Sequence, residues 1–437
     1  MFTIALLLLL VIFILVAVSK FNLHPFLALI IAGIIMGLLS GLDSSLVIKG
    51  LTEGFGGILT GIGIVIAFGT IIGAFLEKSG GARSIANYVL SKIGDKNSLL
   101  AMSITGFIVS IPVFCDSGFV ILASLNKAIA KKTGISLVTL AVALSTGLYA
   151  THVFVPPTPG PLAAAATLNA DIGLVILLGL LVAIPAALVG LFWAKYYCKD
   201  LIVDFESVPE IKQNLPSPLL SFIPLLIPLI LISLKSISEL PSLPFGGGAA
   251  KSFIVFAGNP VTALLIGVFL AFGLVKGVDS KTSLKWVSDS LKDAGTIILI
   301  TGAGGAFGNI LRVINIGDTI NELFAGAQFG IFLPFIIAAV LKSAQGSSTV
   351  AIITTAAIVA PLIDGMGFSS EIGKALLVLS ISAGAMTVSH LNDSFFWVIT
   401  QFSNMDTKTG LKSHTVATLL QGIVSITFLY VLSLILL

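Results

Sequence analysis

Two apolar stretches decide the fold because each holds a polar cluster: Cys115-Asp116-Ser117 within residues 99–130, and Gln345-Gly346-Ser347-Ser348-Thr349 within residues 329–363. A helix needs only about 20 apolar residues to cross a bilayer, so each stretch is long enough to enter and return. Irregular backbone is tolerated at membrane depth only where protein or a water-filled cavity surrounds it. The two stretches therefore predict re-entrant helical hairpins with polar tips inside the membrane.

The overall composition indicates a chain that lies mostly in lipid. Hydrophobic residues make up 57% of the 437 residues and charged residues only 10%, whereas soluble domains carry about 25% charged residues. We predict an all-α polytopic membrane protein. Apart from the hairpins, the stretches long enough to span a bilayer are residues 2–19, 23–40, 55–76, 135–155, 172–194, 218–234, 253–275, 294–314, 372–390 and 415–437.

Several function classes are excluded by the same composition. The chain has no long run of basic residues, so nucleic acid is not an expected partner. Its two cysteines, Cys115 and Cys198, cannot form a disulfide framework. Neither a Cys-x2-Cys nor a His-Glu-x-x-His spacing occurs. We therefore predict no metal site and no cofactor.

The distribution of positive charge predicts the orientation. With both termini outside, most of the 23 Lys and Arg residues fall in cytoplasmic loops, as the positive-inside rule requires. We predict a multi-pass protein of the cell inner membrane, surrounded by lipid. In this topology Lys342 lies at the outer base of the second hairpin, and no Lys or Arg lies at the midplane.

The order of parts occurs twice along the chain. In each half a helix with a Gly-x-x-x-Gly pair is followed by a hairpin, a helix, a polar break and another helix. The breaks are Pro156-Pro157-Thr158-Pro159-Gly160-Pro161 and Asn392-Asp393-Ser394. The two units start on opposite sides of the membrane in the predicted topology. Inverted repeats with discontinuous helices are typical of secondary transporters that bind substrate at the repeat interface.

These observations predict the organisation of the chain. Residues 1–194 form an N-terminal membrane half, with the first repeat at about 46–194. Residues 195–217 form a cytoplasmic linker, and residues 218–437 form the C-terminal half, with the second repeat at about 281–437. The glycine pairs Gly33/Gly37, Gly57/Gly61, Gly69/Gly73 and Gly304/Gly308 are most simply helix-packing positions.

Two carboxylates fall where lipid should exclude them. Asp116 and Asp393 each lie at a helix break, one per repeat. A carboxylate at mid-membrane costs roughly 2.5–3.5 kcal/mol, so a functional role is the first interpretation. The alternative is that each caps a broken helix by accepting backbone N–H bonds. His152 and His390 are candidate proton carriers because imidazole titrates near neutral pH, and the alternative is a neutral interhelical hydrogen bond.

The remaining candidate site residues are small and polar. Half-helix N-termini at the four breaks would hold a carboxylate through unpaired N–H groups and the helix dipole. Interhelical hydrogen bonding is the alternative for each hydroxyl taken alone. The set predicted to bind substrate is Asp116, Ser117, Thr151, His152, Thr158, Gln345, Gly346, Ser347, Ser348, Thr349, Asn392, Asp393 and Ser394, with proton coupling assigned to Asp393, His390 and Asp116.

Four motifs resemble the gluconate permease (gluconate:proton symporter) family of the ion-transporter superfamily. They are Ile111-Pro-Val-Phe-Cys-Asp-Ser-Gly-Phe-Val-Ile-Leu122, Thr151-His-Val-Phe-Val-Pro-Pro-Thr-Pro-Gly-Pro-Leu-Ala163, Ala344-Gln-Gly-Ser-Ser-Thr-Val-Ala351 and Asn392-Asp-Ser-Phe-Phe-Trp397. The resemblance implies an elevator-type transporter, a homodimer and proton-coupled uptake of sugar acids. Gluconate-type sequences tend to carry Glu where this chain has Asp116 and His where it has Thr158, which makes a shorter, glycerate-like acid plausible.

The leading prediction is therefore a proton-coupled symporter that imports a small hydroxy-carboxylate, not an enzyme. Sodium coupling is the alternative, since the oxygen-rich tips could cage a cation. A passive anion channel is a more distant alternative. So is an intramembrane hydrolase, which needs a nucleophile, a base and oxyanion donors placed together.

Overall fold

The chain folds as a bundle of helices. The structure is a computed structural model, and it describes residues 2–21, 23–205, 215–239, 248–275, 279–316, 330–391 and 393–437, without the side chains of Leu15, Ser19 and Gln345. Every regular element in these residues is helical. The first half comprises α1 (Phe2–Ser19), α2 (Pro25–Leu39), α3 (Ser44–Lys78), α4 (Gly81–Ile93), α5 (Ser98–Val109), α6 (Cys115–Thr133), α7 (Leu137–Phe154), α8 (Pro159–Thr167) and α9 (Ile172–Tyr197).

The second half follows after residues 198–217. Its helices are α10 (Pro218–Ser238), α11 (Ala249–Ala257), α12 (Pro260–Phe272), α13 (Ser280–Val313), α14 (Phe332–Gln345), α15 (Ser348–Val359), α16 (Glu371–Met386), α17 (Ser394–Phe402), α18 (Thr407–Gly410) and α19 (Val416–Leu436). A π-helical turn, Leu411–Thr415, connects α18 to α19.

In the part of the chain that the structure describes, six helical segments are long and apolar enough to cross a membrane: Ser44–Lys78, Leu137–Thr167, Ile172–Tyr197, Pro218–Ser238, Ser280–Val313 and Thr407–Leu436. The stretch 253–275, predicted as one straight span, is instead α11 and α12, bent by 65°. The side chain of Asn259 accepts from Val261 N, and Pro260 opens the new helix. A proline supplies no backbone N–H, so it costs least in the first turn of a helix, where that N–H would have no partner within the helix.

Both predicted hairpins contain a helix break at the predicted polar cluster. Between α5 and α6 the break holds Pro112, and the Ser110 hydroxyl donates to Val113 O (3.0 Å). Between α14 and α15 the chain turns at Gly346, whose φ of +81° favours glycine. Ser347 then caps α15 by accepting from Val350 N (3.3 Å). Local cap chemistry at these residues ends one helix and starts the next.

The long helices α3 and α13 pack along each other and each also contacts one of the broken segments. A Cβ added at Gly54 of α3 would lie 2.5 Å from the Gly305 carbonyl oxygen of α13. A Cβ at Gly73 would collide with the Pro112 carbonyl between α5 and α6, and one at Gly308 would lie 3.1 Å from Ala357 O of α15. Only glycine permits this close approach.

The prediction that the glycine pairs serve packing is confirmed for three of the four. Gly33 meets Leu51, and Gly37 meets Val47. Gly57 and Gly61 are different, because a Cβ at either would meet nothing within 4 Å. For that pair the packing interpretation within the described chain is wrong.

Candidate functional site

A buried ion pair joins the second hairpin to the second broken helix. Lys342 Nζ lies 2.5 Å from Asp393 Oδ2, with side-chain exposures of 0% and 6%. The ammonium also donates to the Gly346 carbonyl oxygen at 2.5 Å. The prediction that Lys342 lies at the hairpin base, with no cation at the site, is therefore wrong. We call Lys342 and Asp393 the central pair.

Helix geometry explains how the central pair forms. Lys342 is one turn from the end of α14, where the helix dipole and free carbonyls favour a cation. Asp393 is the N-cap of α17, and its Oδ1 accepts from Phe395 N (3.1 Å). Its Oδ2 also accepts from the Ser389 hydroxyl (2.5 Å). The capping interpretation of Asp393 is confirmed, and the same carboxylate also holds a cation.

The backbone just before Asp393 is held in an uncommon conformation. Val388 has a φ of +62°, in the left-handed region that β-branched residues rarely adopt. The backbone of the next residue, Ser389, is held by two hydrogen bonds. Ser389 N donates to Thr418 Oγ1 (3.0 Å), and Thr415 Oγ1 donates to Ser389 O (2.6 Å). Strained backbone of this kind persists where the surrounding structure over-determines it, often at functional sites.

Asp116, on the first hairpin, contacts the break at 392–394 that precedes α17. It lies in the first turn of α6, and its Oδ1 accepts from the Ser394 hydroxyl at 3.3 Å. Ser394 is exposed and Asp116 partly buried, so this edge of the site is open. The structure thus brings Asp116, Ser394 and Asp393 together, although they lie in different halves of the sequence.

The two predicted histidines have different surroundings. His390 Nε2 lies 3.0 Å from Ser343 O, so this nitrogen must carry the proton and donate. His152 is buried near the Phe114 ring, with centroids 6.0 Å apart. Its Nδ1 has no hydrogen-bond partner within the described part of the chain. A buried, unpaired imidazole nitrogen is costly unless a ligand or water satisfies it.

The other predicted residues divide by how their side chains are used. Thr151 donates to Phe107 O (2.8 Å) and Thr158 to Val155 O (2.6 Å), so both hydroxyl protons are already used within the protein. Thr349 lies against the start of α8, since a Cβ added at Gly160 would be 3.7 Å from the Thr349 Cα. Ser348, like Thr349, is partly buried in the first turn of α15. Asn392 and the Gln345 side chain lie outside the described residues.

His414 is a site residue that the sequence interpretation missed. The predicted span at 415–437 begins just after His414, yet this residue is fully buried in the π-helical turn before α19. Its Nε2 lies 3.2 Å from Ser389 Oγ, and its Nδ1 lies 3.2 Å from Ser145 Oγ. A signal was present, because buried polar residues recur at helical spacing as His414, Thr418, Gln421 and Ser425.

Comparison with known proteins assigns the family. A family model described as GntP family permease matches residues 2–435. A gluconate permease of Pseudomonas aeruginosa is 37% identical over 434 residues, covering 96% of this chain and 95% of that protein. The D-serine transporter DsdX of Escherichia coli is 33% identical over 436 residues, covering 97% and 96%. Among solved structures, the YdaH transporter of Alcanivorax borkumensis shares the fold, with a TM-score of 0.67 at 14% identity over 93% of this chain and 98% of that one.

The long apolar helices and the permease relatives together indicate a multi-pass membrane transport protein. The chain belongs to the GntP permease family, as the full-length match and the gluconate permease relatives show. The resemblance inferred from the four motifs is therefore confirmed.

Proposed function

We propose that the chain is a proton-coupled symporter that imports a small hydroxy-carboxylate, such as gluconate or a shorter sugar acid. The observation that carries the proposal is the central pair, a lysine and an aspartate buried together at a helix break. An isolated charge in a low-dielectric site costs several kcal/mol, so the site favours states without net charge.

Charge balance in the central pair gives a coupling mechanism. Without substrate or a bound proton, the central pair holds one positive and one negative charge. A substrate carboxylate arriving alone would leave a net negative charge, and a proton on Asp393 alone would leave a net positive one. When both bind, protonated Asp393 releases Lys342, and the ammonium becomes the counter-ion of the substrate carboxylate. Proton and anion therefore bind together, and one of each crosses without moving net charge.

The same geometry disfavours sodium as the coupling ion. A sodium site would be built from a carboxylate and unwound carbonyls near the hairpin tip. Here the Lys342 ammonium already contacts both the Asp393 carboxylate and the Gly346 carbonyl. A sodium ion bound there would place two cations against one carboxylate.

Substrate class follows from the site and from the relatives. The relatives are named for gluconate and for D-serine, both of which carry a carboxylate beside a carbon with a polar substituent. In this chain Lys342 and the N-termini of α15 and α17 would hold the carboxylate. Asp116, His152 and Ser394 would bind hydroxyl groups. Their positions at the open edge and beside the tips support a hydroxy acid.

The transport cycle that we propose uses the repeated architecture. Two inverted repeats would carry the hairpins and broken helices as a moving unit against a scaffold that contains α3 and α13, in an elevator-type homodimer. The inner membrane is the proposed location, with both termini outside, and one relative is named an inner membrane permease. The linker at 195–217 would then be cytoplasmic.

Uptake into proteoliposomes tests the function. Radiolabelled gluconate, and three- to five-carbon hydroxy acids, should accumulate when the outside is more acidic than the inside. Replacing sodium by choline should leave accumulation unchanged, and an uncoupler should abolish it. Clamping the membrane potential with potassium and valinomycin should have little effect, because charge balance predicts electroneutral transport of an anion. Accumulation that requires sodium, or that ignores the pH gradient, would overturn the proposal.

A further inference from the structure

A buried chain of hydrogen-bonding side chains leads from the central pair to α7. Asp393 Oδ2 accepts from Ser389 Oγ, which lies 3.2 Å from His414 Nε2. His414 Nδ1 lies 3.2 Å from Ser145 Oγ. Each of these residues is at most 4% exposed. We call Ser145, His414 and Ser389 the relay.

Counting hydrogens fixes the direction of every bond in the relay when Asp393 is charged. A carboxylate can only accept, so the single proton of Ser389 points to Asp393. Ser389 Oγ must then accept from His414 Nε2–H. In a neutral imidazole the other nitrogen is an acceptor, so Nδ1 accepts from the Ser145 hydroxyl. When Asp393 is charged, His414 is therefore in its Nε2–H tautomer.

Protonated Asp393 requires the opposite directions. Its new O–H donates to Ser389 Oγ, and the Ser389 proton must turn to His414 Nε2, which therefore has to be an acceptor. His414 then carries its proton on Nδ1 and donates to Ser145 Oγ. Ser145 has a second acceptor for its own proton, since its hydroxyl lies 3.1 Å from Val142 O. Every donor remains satisfied in both states.

We propose that His414 is a positioning residue whose tautomer follows the protonation of Asp393, so that the relay supports both the charged and the neutral carboxyl. This inference rests on the proposed proton coupling. The net balance is one proton taken from water: Asp393 gains one proton, the single proton of His414 changes from Nε2 to Nδ1, and Ser389 and Ser145 each keep one proton. The imidazole remains neutral before and after.

Other titratable groups also surround the relay and Asp393. Tyr149 of α7 lies beside His414, with ring centroids 6.5 Å apart. Asp116 and Cys115 of α6 and His152 of α7 interact electrostatically with Asp393. His390 precedes Asp393 on the same break and is held by Ser343 O. Within the described residues, only the Lys342 ammonium and the relay reach Asp393 through side-chain hydrogen bonds, which separates His414 from these neighbours.

The direct test is nitrogen NMR of the protein in lipid bilayers, labelled with ¹⁵N at histidine. The chain has only four histidines, and the His414 signals are assigned by their loss in His414→Phe. We expect the Nε2–H tautomer at high pH and the Nδ1–H tautomer at low pH. The pH at which the two tautomers are equally populated should equal the pH of half-maximal gluconate uptake. In Asp393→Asn the tautomer should no longer depend on pH.

Transport gives a second readout. His414→Phe keeps a ring against Tyr149 and Phe395 but leaves the Ser389 proton without an acceptor when Asp393 is protonated. An unsatisfied buried donor disfavours that state, so the pH of half-maximal uptake should fall by about one unit, a tenfold change in proton concentration. His24→Phe, at the start of α2, is the control and should leave the midpoint unchanged.

The outcomes separate the two proposals. If wild-type uptake ignores the pH gradient, proton coupling itself fails. If uptake follows the gradient while His414 keeps one tautomer, or becomes doubly protonated at all pH values, only the relay fails. If His414→Phe does not fold, the His414 signals are assigned as those that survive when His24, His152 and His390 are each replaced in turn, and the tautomer measurement on the wild type still decides.

Discussion

Lys342 and Asp393 are 51 residues apart in the sequence, yet their charged atoms lie 2.5 Å apart and both side chains are buried. The contact joins the end of α14 to the start of α17, so it connects the second hairpin to the second broken helix. Removing one member of a buried pair leaves an uncompensated charge, which is far more costly than replacing both.

Lys342→Met should therefore destabilise the protein by about 3–5 kcal/mol at neutral pH. The double variant Lys342→Met/Asp393→Asn should recover most of that loss, because no charge is left buried. Thermal unfolding of purified protein in detergent measures both. Lys374→Met is the matched control: Lys374 pairs with the more exposed Glu371, and such pairs contribute about 0–1 kcal/mol. A double variant as unstable as the sum of the single changes would contradict this account.

Asp393→Asn should lose concentrative uptake but retain exchange of internal for external substrate. The amide cannot release a proton, and exchange does not require release. Counterflow and gradient-driven uptake in proteoliposomes separate the two activities. Asp364→Asn changes an exposed carboxylate that bonds only locally, to Ser369, and should behave as wild type. Undiminished accumulation by Asp393→Asn would remove this residue from the coupling step.

Asp116→Ala should weaken substrate binding at least about tenfold, since a hydrogen bond to a charged group contributes about 1.5–3 kcal/mol. Its expected partner is a substrate hydroxyl at the open edge of the site. Binding is measured by thermal stabilisation with gluconate and shorter hydroxy acids. Ser394→Ala removes the existing bond to Asp116 but keeps the carboxylate, so it should have the smaller effect. Normal affinity in Asp116→Ala would exclude the assigned role.

Gly73→Ala should destabilise the protein by about 1–3 kcal/mol, because its Cβ would collide with the Pro112 carbonyl at the first break. Gly61→Ala, on the same helix, meets nothing within 4 Å. It should stabilise the helix by about 0.5–1 kcal/mol, the usual preference for alanine over glycine. The difference in melting temperature between the two variants tests the packing of α3. Equal effects would contradict it.

Sequence alone identified both aspartates because lipid makes a carboxylate conspicuous wherever it occurs. Lys342 was misplaced because a helix boundary decides which end of a hairpin a residue occupies. The cap at Gly346, four residues later, places it at the tip. His414 was missed because Lys408 and Lys412 made its surroundings resemble a loop. His414 begins a row of buried polar residues that continues along α19. This row is recognised only when the helical spacing is followed from the predicted loop into α19.

The spans were predicted more fully than the contacts between them. Apolar length is a local property, so α9, predicted at 172–194, follows directly from it. The helices α3 and α13 begin 11 and 14 residues before the predicted spans 55–76 and 294–314, because their first turns are polar. The bend at Pro260 depends on a cap, and the bare face at Gly57 and Gly61 depends on what packs nearby. These are tertiary facts that periodicity does not encode.

The central pair also bears on energy dissipation. A carrier that could return across the membrane with a proton but no cargo would drain the gradient that drives it. In the proposed cycle, the unloaded protein, in which Lys342 and Asp393 neutralise each other, would return across the membrane freely. A protein that carries only the proton or only the substrate would hold an unbalanced charge and would not return. The contact between Lys342 and Asp393 would thus prevent protons from crossing the membrane without substrate.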